Sequence, residues 1–281
     1  MKFIRFGEEG KEKPGVIDKN GDIRDLSGEI RDIDGKFLDS TQLELVKCID
    51  HSSLPLVSDG IRIAPCVANV GKFICIGLNY ADHAAETGAE VPAEPVVFLK
   101  ATSAICGPND NIIKPRNSNK LDWEVELGIV IGREASYVEE NDAEDYIAGY
   151  CLINDVSERE FQIEKSGQWD LGKGCDTFGP IGPWLVTKEE MPDVNNLDMW
   201  LEVNGKRYQD GNTKTMIFSP NFIVSYLSQY MSLQPGDVIS TGTPPGVGLG
   251  QTPPVYLNEG DSVTIEIKGL GSQKQFIVGA K

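Results

Sequence analysis

The chain of 281 residues holds only two histidines, His51 and His83, and its six cysteines are scattered, with no Cys-x-x-Cys pair. A zinc site of thiolates and imidazoles at short spacing is therefore not expected. Neither is a disulfide framework in a chain this long, because several cysteines lie in apolar runs, where a thiol behaves as a small buried hydrophobe. No apolar run approaches the length of a membrane span, and the opening Met1-Lys2-Phe3-Ile4-Arg5 lacks the apolar stretch of a secretory signal. A reducing, cytoplasmic setting is the expectation. Basic residues are also few: 26 Lys and Arg against 43 Asp and Glu leave a net charge of −17. Nucleic acid or an anionic membrane surface would need clustered positive charge, so neither is an expected partner. An anionic small molecule would need a metal or a few placed bases. Internal repeats and low-complexity segments are lacking as well.

What is present is a β-rich pattern. Phe3–Phe6, Pro14–Asp18 and Asp22–Leu26 read as strands, with an Asn20-Gly21 turn, and Thr41–Cys48 has helical spacing. Pro55 and Pro65 punctuate the exit, which places a boundary near residue 68 between a small N-terminal domain, 1–68, and a larger domain, 69–281. The larger part opens on a buried strand, Lys72–Gly77. Helical turns over Tyr80–Glu86 follow, with Asn79 or Asp82 as the cap. Further strands are expected at Pro95–Lys100, Trp123–Ile131, Gly149–Asn154, Ile181–Val186, Met199–Val203 and Lys206–Gln209. The C-terminal ones are Asp237–Ser240, Val255–Leu257, Asp261–Ile267 and Gln275–Val278, and Asn221–Gln229 reads as a helix. The class is α+β, mostly β, with few short helices, so an open doubly wound sheet is not expected.

Glu124 and Glu126 lie on one face of the Trp123–Ile131 strand, because successive side chains alternate. Two carboxylates that close repel unless a cation sits between them or one takes a proton. Asp155 ends a second apolar run, Tyr150–Asn154, and makes a trio suited to a hard, oxygen-liganded ion, Mg²⁺ before Zn²⁺. A solvent-facing edge strand would also carry alternate glutamates. His83 and Glu86 share a helix face at a spacing of three, where a carboxylate orients and strengthens an imidazole base. The same spacing is common on solvated helices. Lys100 ends Val96–Leu99, and Arg159 and Gln162 lie four and seven after Asp155, a spacing that one helix face would bring together. Lys173 has glycines on both sides, which allow close approach to a ligand. Thr241–Gly250 is neither a P-loop nor a dinucleotide fingerprint. It could offer backbone N–H groups and the Thr243 hydroxyl to a carboxylate, or be a structural turn.

Taken in order, Gly77–Glu86, Phe98-Leu99-Lys100, Asp122–Leu127, Asn154–Ser157 with Arg159 and Gln162, Lys173–Pro180 and Ser240–Gly246 resemble the fumarylacetoacetate hydrolase family. The resemblance implies a β-rich catalytic domain of that type behind a small N-terminal module. It implies a homodimer with one Mg²⁺ or Mn²⁺ held by Glu124, Glu126 and Asp155. It assigns His83 and Glu86 to activating water on a lid segment, and Lys173 to stabilising developing negative charge. Lys100, Arg159, Gln162 and Thr243 would hold a small anionic diketo-acid substrate. The implied reaction is hydrolysis of the C–C bond of a 2,4-diketo acid to pyruvate and a second acid, through an enolate that the metal stabilises. A 2,4-diketo-3-deoxy sugar acid, such as the L-rhamnonate or L-fuconate derivative, is the expected substrate. Ureidoglycolate lyase and oxaloacetate decarboxylase are the alternatives among enzymes. A catalytically silent binding protein of the same fold is the alternative outside them, and the completeness of both residue sets argues against it.

Overall fold

The computed structural model describes residues 1–39, 41–82, 91–191 and 193–281. A ten-stranded sheet runs Ile23–Asp25, Lys13–Ile17, Lys2–Phe6, Leu185–Thr187, Ile147–Asn154, Val125–Ile131, Val238–Ser240, Phe73–Gly77, Val96–Lys100, with Ile63–Ala64 beside Lys2–Phe6. Neighbours are antiparallel except Val238–Ser240 against Phe73–Gly77. A five-stranded sheet follows the order Lys206–Asn212, Asp198–Val203, Ser262–Ile267, Gly271–Gly279, Ile112–Lys114.

The central strand Val125–Ile131 explains how the layers stack. Its odd-numbered residues, Val125, Leu127, Ile129 and Ile131, enter a core shared with Met199, Leu201 and Ile265 of the second sheet and with Ile223, Val224 and Leu227. The last three belong to the helix Pro220–Ser228, whose cap Ser219 accepts from Phe222 N and which carries Pro at its first turn. Val130 faces the other way, into a core with Cys151, Ile153, Val238 and the N-terminal Phe3, Val16, Leu26 and Phe37. The strand is buried on both faces, which is why it reads as a nearly continuous apolar run. Glu126 shares parity with Val130 and lies on that second face.

Most expected elements are present, and the departures have local causes. Leu185–Thr187 is shorter than the expected Ile181–Val186, because Pro183 offers no N–H to a ladder. Val255–Leu257 is not a strand: Val255 N donates back to Gly248 O and Leu257 N to Leu121 O, so it meets a loop and a single partner. Among the described residues the Asn79 side chain caps no helix. Its Nδ2 donates to Phe218 O at 3.0 Å and Thr241 O at 2.7 Å, while its Oδ1 accepts from Phe218 N at 2.7 Å. Asn79 thereby ties the end of Phe73–Gly77 to two distant segments. Among the described residues no helix is long and apolar enough to cross a membrane. The six cysteines are free, and Cys66, Cys75, Cys106 and Cys151 are buried as expected.

Hydrogen bonds cross the boundary expected near residue 68. Lys2–Phe6 pairs with Leu185–Thr187, and N-terminal side chains complete the core over Phe73, Cys75 and Val130. The division at 68 is thus a proposal about folding units, and a truncation checks it. A fragment of residues 69–281 would expose that apolar face, so it is expected to aggregate or to bind a hydrophobic dye, where the full chain stays monodisperse in size-exclusion chromatography. A soluble fragment with a cooperative unfolding transition would mark 1–68 as a dispensable domain.

Candidate active site

Strand register builds the site. Val125 pairs with Asn154, and one step beyond the ladder Asp155 N donates to Glu124 O at 2.9 Å. Glu124 and Asp155 are therefore cross-strand neighbours, although neither lies within a strand. Glu126, Glu124 and Asp155 each offer a carboxylate oxygen within 4.8 Å of the others, and all three are buried.

Buried bases surround two of these acids. Lys173 Nζ donates to Glu124 Oε2 at 2.8 Å and to Asp155 Oδ2 at 2.7 Å. Lys100 Nζ donates to Asp155 Oδ1 at 2.5 Å and to Val156 O at 3.0 Å. Arg159 spans Asp122 and Glu124, at 2.7 Å to each, and donates to Gln162 Oε1 at 3.1 Å. Glu126 has no basic partner among the described residues. Its Oε2 accepts only from Ser240 Oγ at 2.5 Å and Gly242 N at 2.9 Å. Three cations, Lys100, Arg159 and Lys173, thus face four buried carboxylates, Asp122, Glu124, Glu126 and Asp155.

The proton affinities follow from this imbalance. Burial raises Glu124, but Lys173 and Arg159 outweigh it and hold the carboxyl well below the usual range. Burial also raises Glu126, and the charges of Asp155 and Glu124 add to it, so this carboxyl stands well above its ordinary value. Burial works against the Lys173 ammonium, yet Asp155 and Glu124 keep it well above the usual lysine range. A divalent cation fits this donor set: it would supply the missing positive charge beside Glu126, and each ionised carboxylate oxygen keeps a second lone pair beyond its bond to a base.

The expected residues divide when placed. Glu124, Glu126, Arg159, Gln162, Lys173 and Thr243 line one cavity of about 220 Å³. Lys100 and Asp155 do not line it: both side chains are fully buried, Lys100 against Asp155, so Lys100 supports a candidate ligand from behind. The Thr243 hydroxyl is also committed, donating to Val125 O at 2.9 Å and accepting from Gln209 Nε2 at 2.8 Å. The glycine-rich loop does present N–H groups to carboxylates, but to protein ones: Gly242 to Glu126, and Gly248 and Leu249 to Asp122. Asp155 does not share a helix with Arg159 and Gln162, since Ser157–Glu158 is a short strand between them. His83 and Glu86 lie outside the described residues.

Asp122 carries no role in the sequence reading, yet it organises this wall. It accepts from Trp123 N, Gly248 N, Leu249 N and Arg159 Nε, all at 2.6–2.9 Å, and is fully buried. Its one visible signal was its place directly before Trp123 and Glu124. Lys173 gains its position from a short helix, Trp169–Lys173, which it closes. A side chain at Gly172 would collide with Gln162 and with Glu158 O, each 2.5 Å from an added Cβ. That close approach brings Lys173 beside the acids.

A family model described as fumarylacetoacetate (FAA) hydrolase C-terminal matches residues 72–278. A Burkholderia multivorans protein that carries a provisional hydrolase name is 60% identical over 282 residues, covering 100% of both chains. The solved fumarylacetoacetate hydrolase of Exiguobacterium antarcticum is 34% identical with a TM-score of 0.86, and 100% of each chain is covered. A maleylpyruvate hydrolase of Sphingobium sp. SYK-6, solved with manganese(II) and pyruvate, is 26% identical with a TM-score of 0.84, again over 100% of each chain.

Glu126 supplies the test of the cation site. Its folded-state proton affinity is raised, so its contribution favours the metal-free fold at low pH and is lost as pH rises through that raised value. Glu126→Gln should remove this loss and raise the melting temperature of chelator-treated protein at pH 8 by a few degrees. Mg²⁺ or Mn²⁺ at a hundredfold excess over its Kd should stabilise the wild type by about 2.7 kcal/mol and the variant hardly at all. Equal metal-induced shifts in both proteins would remove Glu126 from the ligand set.

Proposed function

The chain belongs to the fumarylacetoacetate hydrolase family, and from that premise we propose that it hydrolyses the C3–C4 bond of a 2,4-diketo acid, releasing pyruvate and a second acid. The observation that carries this reading is Glu126, a buried carboxylate with no basic partner among the described residues, which lies close to Glu124 and Asp155 and lines one cavity together with Glu124 and the Lys173 ammonium group. The Sphingobium relative's manganese(II) and pyruvate support both the kind of ion and the keto-acid half of the substrate. A divalent ion on Glu124, Glu126 and Asp155 would act as a Lewis acid toward a 2-keto acid.

The chain's own groups have distinct tasks. Lys173 stays protonated, which makes it a poor base and a good electrostatic partner for developing negative charge. Two carboxylates take two of its three N–H donors, and one remains for substrate. Gln162 Nε2 has no partner among the described residues, so it can donate to a substrate oxygen, while Arg159 fixes the other end of that amide. His83, oriented by Glu86, is proposed as the base that takes a proton from water. The water oxygen then bonds C4, the C3–C4 pair leaves with C3, and C3 is protonated.

Pyruvate release from a panel of diketo acids, with Mg²⁺ or Mn²⁺ and with chelator, tests the reaction. The panel includes acylpyruvates and a 2,4-diketo-3-deoxy sugar acid, the substrate that the family resemblance implies. Turnover that chelator abolishes is expected, and Lys173→Met should lower kcat by about 10²–10³-fold. His83→Ala should lose hydrolysis by about 10²–10⁴-fold. If neither ion supports turnover of any member, the hydrolase reading fails. Turnover of oxaloacetate alone, unaffected by His83→Ala, would instead support the decarboxylase alternative.

We also propose a homodimer. Val96–Lys100 is an edge strand of the large sheet, and it exposes Val97 and Leu99 next to the exposed Leu171. Leu171 lies on the helix that carries Lys173, so a second copy covering this edge would also brace the site. Leu99→Glu with Leu171→Glu should convert a dimer to a monomer in analytical ultracentrifugation. A wild type that sediments as a monomer at all concentrations would sink the proposal.

A further inference from the structure

The lining of the cavity is of two kinds. Besides the charged groups it includes Leu78, Phe98, Ile163, Trp169, Val247 and Leu249. Trp169 is held firmly: its ring meets Phe98 edge-on with centroids 5.4 Å apart, and it packs so closely over Gly77 that an added Cβ would lie 2.6 Å from it.

Leu78 is the unusual member. Its φ of 55° is left-handed, a region that glycine or asparagine occupies with less strain than leucine. Asn79 enforces it, with three side-chain bonds to Phe218 and Thr241 and a backbone bond from Ile217 N at 2.8 Å. Keeping leucine in a strained position on a cavity wall suggests that its side chain serves a ligand.

The charges leave little for a second polar group. Arg159 and Lys173, the two bases that line the cavity, are each paired with two carboxylates. Among the described residues a distal carboxylate would lack an unpaired cation, and a polyhydroxylated chain would lose water contacts against the apolar side chains. The sugar acid that the resemblance implies suits such walls poorly.

We infer that the group beyond C4 of the substrate is uncharged and apolar, an alkyl or aryl chain seated against Leu78 and Trp169. The inference rests on the diketo-acid reading and adds its substrate class. The test is a series of acetyl-, butanoyl-, hexanoyl- and benzoylpyruvate, set against a diketo acid with a distal carboxylate and a 2,4-diketo-3-deoxy sugar acid, all with saturating Mn²⁺. kcat/KM should rise by about fourfold per added methylene until the wall is filled. It should be lowest for the charged and polyhydroxylated members. Leu78→Asn, which suits the left-handed backbone, should retain the melting temperature and cut the hexanoyl-to-acetyl preference roughly tenfold. A flat series, or a best substrate bearing a carboxylate or hydroxyls, overturns the inference while leaving the hydrolase reading intact. If no diketo acid turns over, calorimetry of the Mn²⁺-loaded protein still decides it. Tighter binding of 2-oxooctanoate than of 2-oxoglutarate supports the apolar wall, and the reverse order refutes it.

Discussion

One excess negative charge governs this molecule. Four carboxylates and three bases are buried together at the ends of two strands, and the surplus falls on Glu126. Burying an uncompensated carboxylate costs several kcal/mol, so the arrangement persists only if a proton or a cation joins it. The ordinary alternative, a matched lysine, is close at hand in Lys173, but Lys173 is placed between Glu124 and Asp155. The surplus of negative charge at Glu126 is therefore a property of the folded chain.

The neighbouring residues hold the acids in place. Lys100 pins Asp155 from behind, Ser240 and Gly242 hold one oxygen of Glu126, and Asp122 ties Arg159 to the loop at Gly248 and Leu249. These contacts join four regions of the chain at one point, and Asp155 and Glu126 each have a partner outside the groups assigned to substrate. Such locking of side chains is what a site needs to keep its geometry during reaction. The apolar wall is rigid for a related reason, since Asn79 binds the Leu78 segment to the same loop that positions Glu126.

Much of the fold was legible because its strands alternate or run apolar, and because its turns carry Asn-Gly and proline. The paired glutamates were legible as an anomaly in such a run. Less visible were groups whose roles come from long-range packing. Asp122 looked like any acid at a strand end, and Asn79 like a helix cap. Lys100 and Thr243 were expected to meet substrate, yet both are spent on the protein itself, since nothing local reveals which partner a buried lysine or hydroxyl will find. Val255–Leu257 failed as a strand because a ladder needs a run of paired residues, and here Leu257 alone meets a strand residue, Leu121.

By itself the sequence determined the family, the β-rich class and the three acids offered to a cation, because motif order and side-chain alternation are properties of the chain. Only the tertiary structure decided how those acids are balanced. Register set Asp155 opposite Glu124, and close helix packing at Gly172 placed Lys173 between them. Glu126 was left without a basic partner among the described residues as a result. Charge balance depends on distances in space, and residues 49 and 55 apart in the chain, Lys173 with Glu124 and Lys100 with Asp155, meet only after folding.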